Sequence, residues 1–169
     1  MTTTSALTFL ALVLAAVSQQ SGSQPSQEPA VSATAKGSFD AKVMPQPAAE
    51  GDDPAFTRFA VVKQFHGDLE GTSKVKMLAA SAARKDSGGY VALERVTANL
   101  GGRKGTFCLE HMGSMRGGSF NLTIVVVPDS GTDQLSGISG KFSIEIKDGK
   151  HFYTFDYTLR SGSPPSAGY

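Results

Sequence analysis

Between about residues 36 and 160 apolar and polar side chains alternate with a period of two, and Gly, Asp and Ser interrupt the alternation at intervals that suit hairpin turns. The alternation resolves into eight runs, at roughly 37–44, 57–66, 71–81, 89–99, 103–113, 118–128, 134–147 and 149–160. Between them stand Asp86-Ser87-Gly88-Gly89, Gly101-Gly102, Arg116-Gly117-Gly118, the segment 128–133 and Asp148-Gly149, the last a signal for a type I′ hairpin. No stretch carries a helical stripe. Eight long runs joined by short turns predict an all-β antiparallel meander, and closing it into an eight-stranded barrel removes both exposed edges. The longest connection, 44–54, holds three prolines and predicts a loop over one end of that barrel.

Because side chains alternate, the more apolar parity of each run predicts its inner face. Phe120, Leu122, Ile124 and Val126 form such a face, as do Phe142, Ile144 and Ile146, and His151, Tyr153, Phe155, Tyr157 and Leu159. Three ionisable residues share an apolar parity: Lys63 between Val61 and Phe65, His111 after Phe107 and Leu109, and Glu94 among Tyr90, Ala92 and Val96. The Glu94 run is ambiguous, since its other face offers Val91 and Leu93 with Arg95, and on that reading Glu94 is exposed. A buried charge is costly unless paired, so an interior Lys63, Glu94 and His111 imply an ion pair, a watery pocket or groups tuned for use. The catalytic reading makes Glu94 a base, His111 a donor or shuttle and Lys63 the stabiliser of a developing oxyanion. The structural reading is a buried ion pair beside a satisfied histidine. Tyr90, Tyr153, Tyr157 and Phe107 are the candidate ligand-binding residues on the same parity.

The ends differ from this pattern. An apolar run, 6–17, is too short to span a hydrocarbon core, and Ala16-Val17-Ser18 offers small residues of the kind a signal peptidase reads. Residues 1–18 are therefore expected to be a signal peptide, and the protein to be exported, periplasmic or extracellular. The Ser, Gln, Ala and Pro of 19–35 predict a disordered linker, and 161–169 a disordered tail, leaving 36–160 as the barrel domain. No stable membrane insertion is expected.

Charge and cysteine content narrow the partners. With 16 Lys+Arg against 15 Asp+Glu, the net charge of +1 gives no basic excess for nucleic acid. The single cysteine, Cys108, excludes an intramolecular disulfide and any multi-cysteine metal site, and it reads as a small wall residue. His66-Gly67-Asp68-Leu69-Glu70 gathers an imidazole and two carboxylates, but at a turn better read as solvated than as a metal site. Ser136 to Lys141 resembles a phosphate loop only in its glycines, with Phe142 where a magnesium-binding hydroxyl belongs. No metal and no cofactor are expected.

Several strings together carry a family resemblance. Phe65-His66-Gly67-Asp68-Leu69-Glu70-Gly71-Thr72-Ser73, Gly89-Tyr90-Val91-Ala92-Leu93-Glu94-Arg95-Val96 and Gly105-Thr106-Phe107-Cys108-Leu109-Glu110-His111 resemble signatures of domain-of-unknown-function family 3224. So do Val126-Val127-Pro128-Asp129-Ser130-Gly131-Thr132, Leu135-Ser136-Gly137-Ile138-Ser139-Gly140 and Asp148-Gly149-Lys150-His151-Phe152-Tyr153. The resemblance implies a closed antiparallel barrel of the allene oxide cyclase barrel-like fold and brings no catalytic residues with it. A barrel of eight strands closes around packed side chains or around one ligand. The expected function is binding of a small hydrophobic molecule inside the barrel; the alternative is a cofactor-free acid/base enzyme, a cyclase, isomerase or epoxide-opening activity, in the same cavity. Homo-oligomerisation stays open.

Overall fold

The computed structural model describes residues 30–160. The expected signal peptide, the linker as far as residue 29 and the tail 161–169 lie outside the described residues. Eight strands follow one another: β1 (Ala30–Gln46), β2 (Phe56–Gly67), β3 (Leu69–Ser81), β4 (Gly88–Leu100), β5 (Arg103–Arg116), β6 (Ser119–Val126), β7 (Ile138–Lys147) and β8 (Lys150–Arg160). Each pairs antiparallel with its neighbours in sequence, and β8 pairs with β1, so the sheet is a closed eight-stranded barrel. Among the described residues no helix is long and apolar enough to cross a membrane.

The tight turns follow from residue chemistry. Gly101-Gly102, Gly117-Gly118 and Asp148-Gly149 each place two successive residues at positive φ, the backbone of a type I′ turn that matches the twist of the flanking strands. The loop 47–55 lies at the same end of the barrel as the β3–β4, β5–β6 and β7–β8 connections. The start of β1, the end of β8, the β2–β3 and β4–β5 turns and the 127–137 segment occupy the other end.

Two boundaries differ from the sequence expectation. β1 begins at Ala30, inside the stretch read as linker: Ala30 to Ala35 pair with Arg160 to Phe155. The side chains are too small to register as an apolar pattern, yet their backbone covers the edge that β8 would otherwise expose. Ser32 Oγ meets Thr158 Oγ1 at 3.0 Å, and Thr34 Oγ1 donates to Asp156 Oδ1 at 2.6 Å. The seventh run starts late, because Asp133–Leu135 is a short 3-10 turn and β7 begins only at Ile138. Leu135 is fully buried there, as a plug in that end of the barrel.

The 127–137 segment also stands in for a strand. β6 pairs only with the second half of β5, from Leu109 onward. The first half bonds to the segment instead: Thr132 N–H donates to the Thr106 carbonyl at 2.8 Å, Cys108 N–H to Ser130 Oγ at 2.9 Å and Lys104 N–H to Gln134 Oε1 at 2.9 Å. The backbone groups of β5 are thereby satisfied while the chain crosses over and closes the end.

The interior is divided. At the closed end Phe65, Phe107, Phe155, Leu69, Leu100 and Leu135 are all at most 1% exposed, and Phe107 and Phe155 stack with centroids 5.6 Å apart. A smaller apolar group, Val61, Val75 and Ala92 with Met77 and Tyr90 against it, occupies the open half. The closed end is packed solid; the open half is not.

Candidate functional site

The boundary between the two halves is polar. Lys63 on β2, Ser73 on β3, Glu94 on β4 and His111 on β5 project inward, and Glu94 has no exposed surface at all. Lys63 Nζ donates to Glu94 Oε2 at 2.7 Å, Ser73 Oγ donates to Glu94 Oε1 at 2.5 Å, and His111 Nε2 lies 2.8 Å from Glu94 Oε2. An N–H in the plane of the His111 ring does not point at that oxygen, so His111 Nε2 lies close to the carboxylate without a directed bond. The two-sided reading of β4 resolves inward for Glu94, while Val91 and Leu93 stand on the outer wall at 55% and 61% exposed.

Burial alone raises the Glu94 carboxyl pKa. The His111 and Lys63 contacts and the Ser73 hydroxyl more than reverse this and hold it near about 2. Glu94 is thus a fixed anion at neutral pH, not a base poised to take a proton. His111 borders the cavity, with the carboxylate behind it. Lys63 is held by more than its ion pair: its ammonium sits 4.9 Å from the Phe39 ring centroid and 5.7 Å from that of Phe65.

Above this layer lies a cavity of about 380 Å³. Val61, Val75, Met77 and Ala92 form one wall and Phe39, Leu122 and Ile144 the other, with Lys63 and His111 among them and Tyr90 and His151 also bordering it. His151 stacks on Phe39, with centroids 4.9 Å apart. Tyr90 lies flat on Gly113, where any side chain would collide with its ring. Burial, then the nearby Glu94 charge, raises the Tyr90 phenol pKa. Phe120 and Ile146 face the cavity yet are 59% and 66% exposed.

The wall beside these two residues is incomplete. β6 and β7 share one paired position, Val125 with Lys141, whereas β4 and β5 pair along their whole lengths. Leu122 and Phe120 border the parting on the β6 side, and Ile144 and Ile146 on the β7 side. A larger concavity of about 660 Å³ lies across the outer wall, where Leu78, Val91, Leu93 and Met112 are exposed. Met77, Ala92 and His111 border both concavities, but only the inner one is bordered by Lys63.

The structure therefore brings together Lys63, Glu94 and His111, with Tyr90 on the same cavity. It separates Tyr153, Tyr157 and Phe107 from them. Phe107 is in the closed core, and Tyr157 stacks on Phe155 at 5.3 Å, away from the cavity. Tyr153 is a structural fastener: its hydroxyl accepts the Leu69 N–H at 2.9 Å and lies 3.3 Å from the His66 and Leu69 carbonyls. Parity alone places all three inward but says nothing about depth along the barrel. Ser73 and His151 belong to the site; sequence placed His151 on the inner parity of its run without a role and passed over Ser73, for which the apolar parity of Val75 and Met77 was the available signal. His66 contacts Glu70 at 3.2 Å and Asp40 at 3.7 Å on the surface, and among the described residues no His, Cys, Asp and Glu cluster suits a metal ion.

Comparison with known proteins agrees with this architecture. A family model described as a protein of unknown function (DUF3224) matches residues 35–157. A crystal structure of a protein of unknown function from the DUF3224 family of Shewanella oneidensis MR-1 is similar, with 39% identity and a TM-score of 0.72 over 78% of this chain and 100% of that one. No curated protein matches. The barrel, with its one polar layer between a packed and an unpacked half, belongs to the DUF3224 family.

Proposed function

We propose that the open half of the barrel is a binding chamber for one small, mainly apolar molecule. The observation that carries this reading is the contrast between the two ends. The closed half is filled by its own aromatic and leucine side chains, whereas inward-facing Phe120 and Ile146 remain largely exposed at the rim of an unfilled chamber. Its volume of about 380 Å³ falls at the lower end of the range of small-molecule sites, and its wall is apolar with a few convergent polar groups. Titration of the full chain with Nile red, an uncharged polarity-sensitive dye, tests the proposal. A saturable blue-shifted signal, displaced by small hydrocarbons, supports it; the absence of saturable uptake defeats it.

A second reading is favoured by one contact. His111 borders the chamber with Glu94 2.8 Å behind it, an arrangement that suits a proton shuttle acting on a bound molecule, with Lys63 as the electrostatic partner. On this reading the protein is a cofactor-free acid/base enzyme. It requires turnover that His111→Ala abolishes, whereas a pure carrier shows altered affinity alone. Export through residues 1–18 is likewise our proposal, and N-terminal sequencing of the protein recovered from its native compartment tests it.

A further inference from the structure

We propose that the molecule taken up by the chamber is uncharged and carries a carbonyl oxygen, which accepts a hydrogen bond from Lys63. This rests on the binding-chamber reading and deepens it.

The argument starts from donors and charges. Among the described residues, the titratable side chains that border the chamber are Lys63, His111, His151 and Tyr90, and no carboxylate is among them. The nearest acid, Glu94, is fully buried and has both oxygens engaged, Oε1 by Ser73 and Oε2 by Lys63. A ligand ammonium finds no carboxylate and meets the Lys63 charge. A ligand carboxylate finds a donor, but Lys63 and Glu94 already cancel, so the anion would enter an apolar chamber uncompensated.

The donor side is in surplus. An ammonium has three N–H groups, and Lys63 gives one to Glu94. Its further neighbours among the described residues are the faces of Phe39 and Phe65, which attract the charge without accepting a directed bond as an oxygen does. A neutral carbonyl oxygen satisfies one of these protons and adds no net charge. The surrounding Val61, Val75, Met77 and Ile144 receive the hydrocarbon part.

Competition against Nile red on the full chain tests this with four eight-carbon probes: methyl hexyl ketone, octanoate, octylamine and octane. The ketone is expected to displace the dye at a concentration about tenfold below that of octane, the margin of one hydrogen bond to a charged donor. Octanoate and octylamine are expected to need more than the ketone. Lys63→Met/Glu94→Leu, which strands neither charge, removes the ketone's margin over octane. Infrared spectroscopy of the carbon-13 carbonyl ketone on the unaltered protein decides independently of how the variant folds: a lowered stretching frequency in the bound state is expected. Preference for octanoate or octylamine, a ketone no better than octane, or an unshifted carbonyl band overturns the carbonyl assignment while dye uptake keeps the chamber. No dye uptake and no displacement overturns both.

Discussion

The Lys63 ammonium and the Glu94 carboxylate meet at 2.7 Å inside the barrel, with side chains 8% and 0% exposed. A pair so placed contributes little net stability relative to a well-packed apolar pair, because desolvation opposes attraction, but removing one partner strands the other. Glu94→Ala is therefore expected to destabilise the fold by about 3–5 kcal/mol. The double variant Lys63→Met/Glu94→Leu should lie close to the parent or above it. Urea denaturation of the three proteins checks the order; a double variant as unstable as Glu94→Ala contradicts it.

The same carboxylate makes stability depend on acid. Its pKa falls from an ordinary value near 4.5 to about 2 on folding, so the folded state binds the proton less readily than the unfolded one. The resulting stabilisation is fully present above about pH 4.5 and is lost as pH falls toward about 2, amounting to about 3 kcal/mol. Lys63→Met/Glu94→Leu lacks it. The stability difference between parent and double variant should shift in the variant's favour by about that amount between pH 5 and 2, read from denaturant titrations at a series of pH values.

Tyr153 separates structural from binding roles. Tyr153→Phe leaves the buried Leu69 N–H without its acceptor and is expected to cost about 1–3 kcal/mol in stability. Because Tyr153 does not border the chamber, dye uptake by the folded variant should be unchanged. A lost affinity at unchanged stability contradicts this assignment.

The barrel closes weakly at one place. β6 and β7 pair only at Val125 and Lys141, so the amides on that flank lack the ladder that protects β4 and β5. Amide hydrogen exchange should be fastest, among strand residues of the barrel wall, along the β6–β7 flank of the open half, and ligand should slow it there first. Uniform protection around the barrel contradicts the prediction.

Much of this fold is legible in the sequence because two signals coincide. Period-two alternation separates the faces of β6, β7 and β8, and glycine pairs or Asp-Gly mark the type I′ turns, so strand number and closure follow without long-range information. Ala30 to Ala35 escape because a strand that covers an edge needs backbone, not apolar side chains. The turn at Asp133–Leu135 escapes because it holds no glycine or proline to mark a break, although Leu135 falls on the parity opposite Ile138 and Phe142. In the site, parity places Lys63, Glu94 and His111 in one interior, since a charge amid inward apolar residues is conspicuous. Depth along the axis depends on strand stagger, which alternation does not encode, and so Tyr153, Tyr157 and Phe107 were grouped with a chamber they do not border. The arrangement within the cluster also required distances: Lys63 and Ser73 donate to Glu94 and His111 lies close beside it, which alternation alone does not show.

The most direct measurement uses the four isoleucines of the chain. Ile144 and Ile146 border the chamber, while Ile124 and Ile138 are buried and do not border it. Methyl spectra of isoleucine-labelled protein, recorded during titration with methyl hexyl ketone, should show saturable shifts for Ile144 and Ile146 with Ile124 and Ile138 little changed. Unmoved Ile144 and Ile146 signals, or shifts spread equally over all four, would contradict a binding chamber in the open half of the barrel.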